Sequence, residues 1–164
     1  MHPSTILLLT ALAVFQDTGA TKAPKNEHQH DVDKSGDKVM GFSHEKTTHH
    51  FLLRADGGVI QVTANNAGDT ETRDQIQKHL GQIAGMFGGG DFKAPMLVHG
   101  LTPPGTETMT KRKAEIRYTY EALPSGASVV IKTKRKDALS AVHEFLRFQI
   151  KDHATGDPLE IPTR

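Results

Sequence analysis

The chain has 164 residues, 36% of them hydrophobic, with 20 Lys and Arg against 19 Asp and Glu. That length suits one domain, and a formal net charge of +1 gives no electrostatic case for a polyanionic partner. Cysteine is absent, which excludes disulfides, thiol catalysis and cysteine-ligated zinc or iron–sulfur centres, whereas ten histidines supply imidazole generously.

The first apolar run is Ile6–Phe15. It is short for a membrane span and right for the core of an export signal. Thr18-Gly19-Ala20 then offers small residues for cleavage after Ala20. Residues 1–20 are therefore predicted to be a signal peptide, leaving a secreted or periplasmic protein with no integral membrane span. The region before the run carries no Lys or Arg, so a buried N-terminal helix or a retained anchor is the alternative. Residues 21–39 are polar and charged without an apolar period, which predicts a disordered linker. The folded domain is expected over residues 40–158, with a tail at 159–164.

Within the domain, Thr48–Arg54 and Val59–Ala64 alternate like strands around Asp56-Gly57, the signal of a type I′ hairpin turn. That turn sets Phe51 opposite Val62 and His49 opposite Ala64. Phe51, Leu53, Ile60 and Val62 then share the core face, with His49 at its end and His50 on the other face. Asp69 is positioned to cap a helix that runs to Phe87 and stops at Gly88-Gly89-Gly90. Its stripe is Ile76, Leu80, Ile83 and Phe87, flanked by His79 and Met86. Ala94–His99 reads as a short edge strand, broken at Pro103-Pro104-Gly105, with a short helix following to Lys113. Strands at Glu115–Ala122 and Ala127–Thr133 come next, joined through Pro124-Ser125-Gly126, with Tyr118 and Tyr120 on the core side. The last helix is predicted over Asp137–His153, with the stripe Leu139, His143, Leu146 and Ile150. The strand–strand–helix pattern thus occurs twice. The predicted fold class is α+β: two ββα repeats forming one antiparallel four-stranded sheet with helices packed on one face.

On that template His143 takes the place that Leu80 holds in the first helix, so its ring must find a hydrogen bond or a ligand. His49, His79 and His143 are the candidate metal ligands. His99 is a further member, and Met86 and Met96 are soft auxiliaries. Neutral imidazoles suit Zn or Cu, and thioethers favour the reduced copper ion. His143-Glu144 is not a metalloprotease motif, because position 147 is Arg147 rather than a second histidine. Gly88-Gly89-Gly90 follows a helix and so makes no phosphate loop, and no Gly-x-Ser-x-Gly elbow occurs. The basic groups Lys111-Arg112-Lys113 and Lys132, Lys134-Arg135-Lys136 lack stacking aromatics beside them, so a solvated face is expected and nucleic acid is not.

Several segments together carry a resemblance: Met40-Gly41-Phe42, Lys46-Thr47-Thr48-His49-His50-Phe51, Gly57-Gly58-Val59-Ile60-Gln61-Val62 and His143-Glu144-Phe145-Leu146-Arg147-Phe148-Gln149-Ile150. Over about Asp31–Pro158 the chain resembles an uncharacterised family of small bacterial proteins. Some members carry the automatic label aspartate carbamoyltransferase. The residues here do not support that label. The Ser-x-Arg-Thr-Arg loop and the His-Pro-x-Gln motif of that enzyme family are both missing, and His2-Pro3-Ser4-Thr5 fails the second. The resemblance implies a bacterial origin and transfers no catalytic residue.

The expectation from sequence is a non-enzymatic binding protein of the cell envelope, holding a metal ion through His49, His79 and His143. The rival readings are a small enzyme with His143 or His79 as general base, and a structural or assembly module that pairs as a homodimer through its sheet edge.

Overall fold

The computed structural model describes residues 27–162, so the signal peptide predicted over residues 1–20 lies outside the described residues. The elements are α1 (Glu27–Met40), β1 (Thr47–Arg54), β2 (Gly57–Ala64), α2 (Thr70–Gly88), α3 (Lys93–His99), α4 (Thr106–Lys111), β3 (Ile116–Leu123), β4 (Gly126–Thr133) and α5 (Lys136–Asp152). The strands form one antiparallel sheet in the order β1-β2-β4-β3. The class is α+β.

Thr47 to Ile116 and Gly57 to Gly126 are both separations of 69 positions, and the strands of the two halves match in length. The hairpins meet in the middle of the sheet, where Gly57 pairs with Lys132 and Val62 with Ala127. Each hairpin tip also fastens the other hairpin's end. Thr133 N–H donates to Asp56 O at 3.0 Å, and Ala64 N–H donates to Ser125 O at 2.8 Å. Helix α2 packs mainly on β3 and β4, while α5 packs on β1 and β2, so each long helix crosses to cover the opposite hairpin. The core between them includes Phe51, Ile60, Val62, Val129, Ile131, Phe87, Phe145 and Leu146.

Alternation places the expected residues on the core face, but the first hairpin differs in register. Its turn is Ala55-Asp56, so Arg54 pairs with Gly57, Phe51 with Ile60 and His49 with Val62. The shift is by two residues in pairing, which preserves the face of every side chain. Gly57 belongs to the strand, and Asp56 is not at positive φ, so the type I′ turn at Asp56-Gly57 is not formed. Packing explains the glycine instead. A Cβ on Gly57 would stand 1.9 Å from Ile131 O, and one on Gly126 would stand 2.1 Å from Val62 O.

Helix α2 begins and ends as the sequence predicts, with the Asp69 carboxylate accepting from Thr72 N–H at 3.0 Å. Three segments depart from expectation. Ala94–His99 is not an edge strand but part of α3. Pro95 sits in its first turn, where no helical N–H bond is lost, and Gly100 at φ 67° closes it by donating to Met96 O. The linker predicted over residues 21–39 is helix from Glu27 onward. That helix is polar overall, with few apolar residues, and it is held by tertiary contacts: Val32 is buried, His28 reaches Asp152 at 2.8 Å, and His44 reaches Asp37 at 3.0 Å. In the tail, Leu159 packs against the core and its carbonyl accepts from Arg147 Nε at 2.9 Å. Tyr120, expected on the core side, is exposed on the edge strand β3.

Three of the basic residues, Arg112, Lys132 and Arg135, meet carboxylates. Arg112 and Arg135 both bond Asp137, and Lys132 pairs with Asp56 at 3.0 Å. The two basic groups lie on a solvated face.

Candidate functional site

The buried positions of α2 are Thr72, Ile76, Leu80, Ile83 and Phe87. The same spacing in α5 falls on Ala138, Val142, Leu146, Gln149 and His153. Val142, not Leu139, therefore takes the place of Ile76; Leu146, not His143, takes that of Leu80; and His153, not Ile150, takes that of Phe87. His49 likewise corresponds to Tyr118 across the separation of 69 positions. Phe87 meets Tyr118 with ring centroids 5.9 Å apart, and His153 meets His49 at 6.0 Å. One half of the domain places two aromatic rings at this contact, and the other places two imidazoles.

The imidazole pair opens onto a chamber of about 80 Å³. Its floor is Phe51, Ile60 and Val62 from the sheet. Its walls are His79 and Leu80 of α2 with Phe145, Gln149 and His153 of α5. The C-terminal end of α1 and the face of α3 that carries Ala94, Val98 and His99 form the roof. Phe42 stacks against His49 at 6.3 Å and meets His79 edge-on at 5.7 Å. His153 also contacts Phe51 at 5.5 Å and His99 at 4.9 Å. A second, polar cleft of about 490 Å³ lies between α1 and the start of β1, lined by Asp33, His44, Thr47 and Asn65 among others. Chamber and cleft share Met40, His49 and His153, so these three residues form the throat between them.

Burial favours the neutral form of His49, His79 and His153. Desolvation pushes His49 down to about 4, helped by the neighbouring His79 ring. His79 falls to about 4 by desolvation alone. Desolvation, with His99 and His49 beside it, pushes His153 down to about 3. His49 Nε2 is buried and has no hydrogen-bond partner among the described residues.

His99 is held differently. Its Nδ1–H donates to Asp152 Oδ2 at 2.5 Å, and its Nε2 faces the Gln149 side-chain amide at 3.0 Å. The other Asp152 oxygen takes His28 of α1. Burial raises the Asp152 carboxyl, but the bonds from His28 and His99 outweigh it and leave the group below its ordinary range. Asp152 thereby ties α1, α3 and α5 together over the chamber.

The structure brings His49 and His79 to one chamber and places His143 elsewhere. His143 Nε2–H donates to Arg54 O at 2.9 Å and Gly57 O at 3.0 Å, at the tip of the first hairpin. Five residues of extended strand separate Arg54 from His49, about 16 Å. Among the described residues no group of three or more His, Asp or Glu side chains could hold a metal ion. His49, His79 and His143 are therefore not a joint ligand set, because the α5 stripe is displaced and the hairpin carbonyls occupy His143. Replacing His143 with Leu should cost about 1–3 kcal/mol, because the carbonyls of Arg54 and Gly57 lose their donor. Urea unfolding measures it, and an unchanged midpoint would show that another donor serves them.

His153 is the site residue that sequence reasoning missed. It follows the last residue of α5 and reads as a helix end. The available signal was its spacing from Ala138, Val142, Leu146 and Gln149, which continues the buried stripe. Compared with protein-family models, curated proteins and solved structures, the chain finds no match, so its site is read from its own residues.

Proposed function

We propose that the chain is an exported, non-enzymatic binding module whose histidine-lined chamber takes up a small ligand beside His49 and His153. The observation that carries this reading is the buried, unpartnered Nε2 of His49, set in the throat between an apolar chamber and a polar cleft. A buried polar atom without a partner is costly, on the order of 1–3 kcal/mol, and a guest that bonds it recovers that cost. Binding fits better than general-base catalysis. Among the rings lining the chamber, His99 has an orienting carboxylate, and its second nitrogen is already taken by Gln149. Export rests on the apolar run Ile6–Phe15 and on Thr18-Gly19-Ala20, and the intact mass of natively expressed protein, expected to begin at Thr21, checks it.

The chamber is tested with xenon, a guest that makes no hydrogen bonds. Xenon NMR should show a bound signal in exchange with free gas. Ala94→Phe, which fills the chamber from α3, should abolish that signal while circular dichroism stays unchanged. An equal signal in the two proteins, or none in either, would remove the basis for a binding chamber here.

A further inference from the structure

The two outer strands of the sheet, β1 and β3, are finished differently. Each hairpin closes through a two-residue loop, with Arg54 opposite Gly57 and Leu123 opposite Gly126. Such a closing pair is hydrogen-bonded, and bonded pairs alternate with unbonded ones along the ladder. Counting back from it, Phe51 in β1 and Tyr118, Tyr120 and Ala122 in β3 turn their backbone N–H and C=O groups outward. At β1 the chain's own tail covers this edge. Phe51 N–H donates to the Asp157 carboxylate at 2.9 Å, and the same carboxylate holds His50. At β3, among the described residues, nothing takes the outward N–H groups of Tyr118, Tyr120 and Ala122. The strand runs for eight residues with no bulge or proline, so it lacks two of the devices that usually blunt an edge.

Charge along β3 selects the partner and the register. Arg117, Thr119 and Glu121 alternate with the tyrosines, so they share the sheet face away from the helices, and all three are exposed. Arg117 stands opposite Lys132 of β4, a like charge. Among the described residues neither Arg117 nor Glu121 makes an ion pair. A second β3 laid antiparallel on a two-fold axis through Thr119 sets Tyr118 opposite Tyr120 and Arg117 opposite Glu121 of the other copy. Sliding the register by two residues sets Glu121 against Glu115 in one direction and Arg117 against Leu123 in the other. Helix α2 leaves room for this. It lies over β3 and β4, and Gln77 Nε2 on its outer flank reaches Leu123 O at 3.2 Å. That flank continues as Gly81, Ala84 and Gly88, small residues that admit a two-fold copy of the helix at about 10 Å, the spacing of packed helices.

We propose that the chain forms a two-fold dimer by pairing β3 with β3 of a second copy, which joins the two sheets into one. Tyr118 and Tyr120 exchange backbone hydrogen bonds across the seam. Thr119 meets its own copy at the axis. An Arg117–Glu121 pair lies on each side of it, at unbonded positions where facing side chains come closest. Tyr120, an exposed aromatic in the single chain, packs beside Tyr118 of the second copy. The chamber lies over β1 and β2, away from this seam, so the dimer stands or falls independently of ligand binding.

Sedimentation equilibrium of the full chain should show monomer and dimer with a dissociation constant on the order of 10 μM, because one strand edge makes a small interface. Arg117→Glu and Glu121→Arg each set like charges opposite one another at both pairs, and each should weaken the dimer at least about 10-fold. Circular dichroism verifies that both variants fold. Mixed in equal amounts, the two variants regain opposite charges at both pairs and should form a heterodimer with the affinity of the unaltered chain. In the unaltered chain, amide hydrogen exchange at Tyr118 and Tyr120 should slow as concentration rises, while exchange at Thr119, bonded to β4, stays constant. A monomer at every concentration up to about 1 mM, a dimer indifferent to both charge reversals, a mixture of folded variants that does not pair, or exchange at Tyr118 and Tyr120 that ignores concentration would each overturn the proposal.

Discussion

Lowering the pH from about 7 to about 4 is expected to remove on the order of 5 kcal/mol of folding stability. His49 and His79 are pushed down to about 4 and His153 to about 3, in each case first by desolvation. Their ordinary value is 6.5. Between these limits the unfolded chain binds protons that the folded chain refuses, so stability is complete above about pH 6.5 and falls as pH drops toward the folded values. Each tenfold loss of proton affinity on folding is worth about 1.4 kcal/mol. All three rings are partly exposed, so solvent screening discounts each to roughly 1.5–2 kcal/mol. The charged neighbours do not reverse the sign. Asp33 and Asp37 favour charge on His49, but desolvation outweighs them, and Asp152 does the same for His153 with the same result. The pair of His28 with Asp152 persists while that carboxylate stays ionised, and its loss belongs to lower pH. Against a typical total of about 5–15 kcal/mol, the effect should show as a steep fall in urea midpoint over this window. His153→Phe should flatten the fall by about a third, because one of three rings no longer titrates. A midpoint level across the window would mean that the rings are solvated.

Gly57→Ala should cost about 3 kcal/mol or more. Two penalties act together. Gly57 has φ 150°, where side chains are strained, and its Cβ would stand 1.9 Å from the Ile131 carbonyl oxygen of β4. Neither can relax alone, because Gly57 sits in the central β2–β4 ladder and its own carbonyl receives His143. Gly126→Ala should be somewhat milder. It meets the Val62 carbonyl oxygen at 2.1 Å without a positive φ. Gly81→Ala is the matched control. It lies inside α2 with nothing within 4 Å of the added carbon, and should stabilise by about 0.5–1 kcal/mol. Differential scanning calorimetry of the three variants ranks them, and a Gly57→Ala protein as stable as the Gly81→Ala control would contradict the close crossing of the two hairpins.

The periodicities alone determined much of this fold. Period-two runs around Phe51 and Ile60, and around Ile116 and Val129, are legible because a strand buries one face whatever it pairs with. Asp69 and the glycines after Phe87 bound α2 by local hydrogen bonding and conformational freedom, both properties of nearby residues. What the sequence by itself could not determine was set by contacts distant along the chain. Gly57 reads as a turn residue until β4 is placed against it, when the Ile131 carbonyl becomes the reason for the glycine. Residues 27–39 read as linker because they carry few apolar residues, and buried Val32 with histidine–aspartate pairs to α5 and to the following turn holds the helix in place. The histidines show the same division. Their number and their places near apolar positions are in the sequence. Which of them meet depended on a three-residue displacement of the α5 stripe, which the packing of α5 across the opposite hairpin decides. That displacement sends His143 to the hairpin carbonyls and brings His153 to His49, because a helix stripe is defined only by the surface it covers.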